Sequence, residues 1–82
     1  IGLTKYLAAW AGPRNVRVNA VSPGGFDTGE APESFRTRYN QHTLLGRMAG
    51  SDDIKGAVVF LASAAAAYVT GENIVVDGGY SC

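Results

Sequence analysis

The hydrophobic pattern of the chain changes period from one stretch to the next, and each change marks an element. At the start, IGLTKYLAAWAGP places Leu3, Leu7 and Trp10 at i, i+4 and i+7, one face of a helix. Gly12 supplies a C-cap and Pro13 a stop just beyond it. No Ser, Thr, Asp or Asn precedes Ile1, and the apolar pattern is already running there, so the expectation is a chain that begins inside a helix.

Residues 16–21, VRVNAV, set Val16, Val18 and Ala20 against Arg17, Asn19 and Val21, the alternation of a strand, and the β-branched content agrees. Pro23 ends that strand. From Glu30 to Ala49 the pattern weakens: Pro32 fits N1 of a short helix carrying Phe35 and Tyr39 on one face, and Gly46 and Gly50 bracket a loop. SDDIKGAVVFLAS is better marked, with Ser51 as N-cap, Asp52 and Asp53 at the positive end of the helix dipole, and Ile54, Ala57, Val58, Leu61 and Ala62 in one apolar stripe. Gly56 in mid-helix costs about 1 kcal/mol against Ala and predicts close packing against a neighbour. YVTGENIVVDGGY reads as a Thr70-Gly71 turn, a short buried strand over residues 73–77 and a glycine pair.

The resulting order is helix, strand, partly helical excursion, helix, strand. Two strands joined through a helix imply a parallel crossover, and parallel strands need cover on both faces. Two strands alone do not make such a sheet. The pattern therefore predicts an α/β fold equivalent to the last third of a doubly wound parallel sheet, with the remaining strands supplied from outside these residues.

Composition narrows the picture further. A chain of 82 residues buries only about 60–65% of its unfolded surface and is marginal alone. Cys82 is the only cysteine, so there is no disulfide framework and no Cys/His metal cluster, and this usage suits a reducing, cytoplasmic setting. Seven basic and seven acidic residues lie scattered without runs, which argues against nucleic acid and anionic membranes as partners. No apolar run approaches the length of about 18 residues that a membrane span needs, and no signal peptide is recognisable. The Ala-rich SAAAA tract is too short to be a linker, and no internal repeat is present.

The densest backbone punctuation is VSPGGFDTG, residues 21–29, just past the predicted first strand. In open parallel sheets ligands bind beyond the C-terminal ends of strands, so position makes this run a candidate site. Pro23 fixes φ, Gly24 and Gly25 hold no Cβ against a ligand, and the Thr28 hydroxyl both donates and accepts. A planar amide such as a nicotinamide carboxamide would pair with exposed backbone there. A Pro-Gly turn that merely ends a strand has the same local sequence.

In order and spacing, GLTKYLA, VRVNAVSPGGFDT, LLGRM, FLAS and YVTGENIVVDGG resemble the C-terminal part of short-chain dehydrogenases/reductases, the single-domain NAD(P)-dependent Rossmann enzymes. The resemblance runs over essentially the whole chain. It implies that residues 1–82 are the C-terminal fragment of one NAD(P)-binding Rossmann domain, whose parent transfers hydride between nicotinamide and a hydroxyl or carbonyl substrate. It also implies a cofactor-binding segment of Pro23, Gly24, Phe26 and Thr28 closing over the nicotinamide of NAD or NADP. Backbone groups of Phe26 would face the carboxamide, where an aliphatic residue is usual. Residues 29–45 match the variable substrate loop, with Phe35 and Tyr39 as substrate-lining candidates that also suit simple packing. His42 invites an acid/base reading and equally a solvated or structural one. Arg47 is read as a structural pair or helix contact.

The family's catalytic tyrosine has a lysine four residues later, with an upstream serine and asparagine. Here Tyr6, Tyr39, Tyr68 and Tyr80 all lack Lys at i+4, and the lysines are Lys5 and Lys55. No catalytic residue and no metal ligand is therefore expected among these residues, the Gly-rich dinucleotide turn is absent, and the isolated chain is expected to be inactive. The resemblance places Ile1 a few residues after the catalytic lysine. It implies a homo-oligomer, a dimer or tetramer, through the helix matching residues 1–11 and the helix-strand pair matching 52–77. A chain of this kind could also serve as a non-catalytic module docking onto such subunits.

Overall fold

A computed structural model describes residues 2–27 and 29–82. Helix α1 (Gly2–Ala11) leads through a 3-10 turn (Gly12–Arg14) into strand β1 (Ala20–Pro23). Helix α2 (Glu33–His42) and helix α3 (Ser51–Ala62) follow, then a second 3-10 turn (Ala64–Ala66) and strand β2 (Asn73–Val76). The two strands pair in parallel, Ala20 opposite Asn73 and Pro23 opposite Val76. The predicted α/β crossover is thus present, with α3 packed against both strands.

Several boundaries differ from those the sequence predicts. Helix α1 ends at Ala11, with Gly12 next as expected, but the chain then tightens into the 3-10 turn, with Pro13 inside it, and closes at Asn15 in the left-handed region (φ 61°). Strand β1 starts at Ala20 rather than Val16. Opposite Val18 the segment leading into β2 turns through Gly71 (φ 72°), so the Val18 N–H donates to the Thr70 hydroxyl (3.1 Å) and its carbonyl accepts from Gly71 N–H (2.7 Å) instead of joining a ladder. Strand β2 ends at Val76, one residue early, because the Asp77 carboxylate turns to accept the Gly79 and Ser81 N–H groups (2.9 and 3.1 Å).

Pro23 closes β1 without cost to the ladder. The Ala20 and Gly24 N–H groups donate to Glu72 and Val76 carbonyls (2.9 Å each), so alternate residues face β2 and the nitrogen of Pro23 faces the other edge. Pro32 is the N-cap of α2 rather than N1, and Gly50 rather than Ser51 is the N-cap of α3. At Gly50 the cap is built by Asp53, whose carboxylate accepts the Gly50 N–H (2.7 Å) while the Asp53 N–H donates to the Gly50 carbonyl (3.1 Å). Asp53 at N3 thus supplies the capping side chain, on the Gly50 N–H, in place of the Ser51 cap that was expected.

The core is small. Ala8, Ala11, Met48 and Ala66 are its buried hydrophobic members, joined by Thr43. The predicted apolar face of α1 is turned to solvent, Leu3 at 69% and Trp10 at 56% exposure, and Val58 on the α3 stripe is half exposed. Gly56 is not a close-packing site either: a Cβ there would meet nothing within 4 Å. These helices carry apolar faces that two strands are too few to cover. The dimensions agree, since the radius of gyration is 15.3 Å against about 12 Å for a compact chain of this length.

A candidate ligand wall beyond the first strand

Beyond Pro23 the chain bends through Gly24 and Gly25 and is pinned to the segment before α3. The Ala49 N–H donates to the Gly25 carbonyl and the Asp27 N–H donates to the Ala49 carbonyl, both at 2.9 Å, which makes Phe26 and Ala49 an isolated parallel bridge. In such a bridge the flanking residues supply the bonds, and the central residue's own N–H and C=O point to the opposite side. Among the described residues those two groups of Phe26 have no partner, and the residue is 43% exposed. One donor and one acceptor thus stand side by side at the C-terminal end of β1, the complement of a primary amide's C=O and NH₂.

The glycines before it are bare for a reason different from the expected one. A Cβ on Gly24 would come 2.7 Å from Asp77 Cβ and 2.9 Å from its Cα, and one on Gly25 would run into the Tyr39 ring. The space is taken by the chain itself. The Gly25 N–H donates to the Tyr39 hydroxyl, and Tyr39 in turn stacks on Tyr80 with ring centroids 4.9 Å apart and planes 22° apart. Helix α2 is held to the turn a second time by Arg36, which lies 3.7 Å from Asp27 and donates to the Ala31 carbonyl (3.1 Å). Asp27 also accepts from the Gly29 N–H (2.8 Å).

Of the residues singled out by sequence, Pro23, Gly24 and Phe26 therefore line one bend, and Tyr39 lies against it. Thr28 lies outside the described residues. Phe35 sits on the same side of α2 as Tyr39, with ring centroids 6.2 Å apart, and is 48% exposed. His42, at the end of α2, meets the Tyr80 ring edge-on at 6.1 Å. Sequence reasoning missed Tyr80, although its place directly after the glycine pair, where positive φ (62° and 87°) reverses the chain, was the available signal.

Arg47 is a structural pair, as expected. Its guanidinium grips both oxygens of Asp53 at 2.7 and 3.0 Å and donates to the Met48 carbonyl (3.3 Å). The Arg47 hydrogen bonds, with the Gly50 N–H, hold the Asp53 carboxyl at about 2, and the same partner raises Arg47 further. The Asp77 carboxyl is lowered chiefly by the Ser81 side chain's hydrogen bond. Among the described residues no cluster of His, Cys, Asp and Glu is placed to hold a metal ion, and no helix is long and apolar enough to cross a membrane.

Comparison with known proteins gives a consistent picture. A family model described as enoyl-(acyl carrier protein) reductase matches residues 1–81. The 3-oxoacyl-[acyl-carrier-protein] reductase FabG of Aquifex aeolicus is 43% identical over 82 residues, covering 96% of this chain and 33% of that protein. Galactitol 2-dehydrogenase (L-tagatose-forming) of Cereibacter sphaeroides is 49% identical over 86 residues, covering 96% and 33%. Among solved structures, a short chain dehydrogenase from Leptospira borgpetersenii with bound NAD+ superposes with a TM-score of 0.94 at 43% identity, covering 99% of this chain and 32% of that one. The chain thus spans about a third of the length of the relatives it matches.

Proposed function

Taking as premise that this chain belongs to the short-chain dehydrogenase/reductase family, we propose that residues 1–82 are the C-terminal part of one Rossmann domain and form the nicotinamide-facing wall of an NAD(P)-dependent oxidoreductase. The observation that carries this reading is the unpaired N–H and C=O of Phe26 beyond the end of β1. A carboxamide fits that pair with two hydrogen bonds, which fixes which face of the ring is presented to substrate. The contact is made by backbone, so the aromatic side chain in place of the usual aliphatic leaves it intact. A bound nicotinamide dinucleotide supplies the hydride donor or acceptor for a hydroxyl or carbonyl substrate.

These residues bind and orient, and proton transfer falls to residues outside them. Tyr39 and Phe35 border the wall where a substrate would approach, and Tyr39 fixes the bend by accepting from Gly25. The Leptospira relative is described with bound NAD+, which supports a nicotinamide dinucleotide, NAD or NADP, as the cofactor. Exposed Leu3, Tyr6 and Trp10 on α1 suit a homo-oligomer interface.

The test is titration of the whole protein that carries these residues with NADH and NADPH, followed by nucleotide fluorescence, beside the same titration of residues 1–82 alone. The whole protein is expected to bind one of the two with micromolar affinity and the isolated chain neither. Tight binding or turnover by residues 1–82 alone would overturn the assignment.

A further inference from the structure

Between α2 and the C-terminal turn lies a cleft of about 360 Å³ lined by Phe35, Arg38, Tyr39, His42 and Tyr80. Its rings form a continuous bank: Phe35 and Tyr39 are 6.2 Å apart, Tyr39 and Tyr80 4.9 Å, His42 and Tyr80 6.1 Å. Phe35 and Tyr80 are each close to half exposed, so the bank presents ring surface to whatever enters rather than spending all of it on its own packing. The charge on its lining has one sign. Arg38 is the charged member of the lining and makes no ion pair among the described residues, whereas Arg36 and Arg47 each have an aspartate. No carboxylate lines the cleft.

We infer that this cleft binds a planar aromatic ligand carrying a carboxylate, with its ring against Tyr80 and Phe35 and its anion on Arg38. The volume fits a molecule of one or two rings. Stacked and edge-on ring pairs at these separations are favourable, and guanidinium is the side chain best shaped to take a carboxylate through two parallel hydrogen bonds. A cationic ligand would meet Arg38 with like charge. The Tyr39 oxygen already accepts from Gly25, so its proton is left to donate to an oxygen on the ligand. Tyr39 also joins the cleft to the bend that carries Phe26, which puts the ligand beside the proposed nicotinamide edge. Calling the ligand a substrate rests on that reading; its binding does not.

The experiment is a fluorescence titration of the whole protein, without nucleotide, using naphthoate and the matching neutral naphthylmethanol. Naphthoate is expected to bind about tenfold more tightly than the alcohol, the difference expected of one charge-assisted contact. Arg38→Gln should abolish that preference while leaving naphthylmethanol binding unchanged, and Tyr80→Ala should weaken both ligands. Circular dichroism of each variant checks its fold. Because Tyr80→Ala also removes the ring stacked on Tyr39 of α2, wild-type protein is titrated with naphthoate while amide shifts of residues 35–42 are followed, and movement there supports the site. Equal affinity for the two probes, an unchanged preference in Arg38→Gln, or shifts confined elsewhere would overturn the inference. Failure here with intact NADH binding condemns the cleft alone, and the reverse result condemns the nicotinamide wall alone.

Discussion

The Arg47 guanidinium and the Asp53 carboxylate meet fork to fork, at 2.7 and 3.0 Å, and the same carboxylate closes the N-terminus of α3 on Gly50. The pair joins the loop that carries Ala49, and through it Phe26, to the helix behind the sheet. A folded-state carboxyl at about 2 against an unfolded value of about 3.9 stabilises the fold above the unfolded value. That stabilisation is lost as pH falls toward 2. The stability difference between wild type and Arg47→Gln, followed by denaturant unfolding of the whole protein, should therefore be full above pH of about 5 and shrink between about 4 and 2. Both side chains are partly exposed, so added salt should reduce it.

Gly24 and Gly25 predict two different mutational outcomes. At Gly24 an added methyl meets Asp77 Cβ and backbone Cα, which cannot swing aside, and Gly24→Ala should cost about 1–3 kcal/mol of stability. At Gly25 it meets the Tyr39 ring. Gly25→Ala should be destabilising in wild type and nearly neutral in a Tyr39→Ala background, whereas Gly24→Ala should stay destabilising in both, because Asp77 remains in place when the Tyr39 hydroxyl, 3.0 Å away, is removed. Thermal unfolding of the double-mutant cycle checks this.

Arg17 ties the two ends of the crossover together. Its Nη1 donates to the Leu61 carbonyl at 2.8 Å and to Val69 at 3.4 Å, and Nη2 reaches Ser63 at 3.4 Å, at the C-terminal end of α3 where carbonyls lack helical partners. Arg17→Ala should cost about 1.5–3 kcal/mol, typical of hydrogen bonds to a charged group, with Arg17→Lys recovering part of it. Hydrogen exchange of the last turn of α3 should rise in parallel.

How much of this was legible in the sequence depended on whether a signal was local. The parallel crossover followed from a switch of period between VRVNAV and SDDIKGAVVFLAS and from the short run before Asp77, all of which are properties of neighbouring residues. Boundaries moved by one to four positions where a distant group intervened, as when Gly71 turned the chain away from Val18. Burial was the least legible property. The stripe through Leu3, Leu7 and Trp10 has the right period for a covered face, but cover is supplied by partners, and two strands do not reach it. The bend at Gly24 and Gly25 was found as a candidate while its cause was not, since Tyr39 and Asp77 approach it from separate elements and leave no local trace.

The Phe26 edge should discriminate by donor and acceptor rather than by side chain. Phe26→Ile is expected to bind NADH within about twofold of wild type, because the backbone pair is retained. A dinucleotide with nicotinic acid in place of nicotinamide presents acceptors only and should bind about tenfold more weakly, the cost of one unmatched hydrogen bond. Competition titration against NADH measures both.

The most direct test is a crystal structure of the whole protein with NAD+ or NADP+ bound. The carboxamide should lie with its nitrogen and oxygen within about 2.7–3.2 Å of the Phe26 carbonyl oxygen and amide nitrogen respectively. A nicotinamide ring bound elsewhere, with Phe26 N–H and C=O left to solvent or to another strand, would contradict the account.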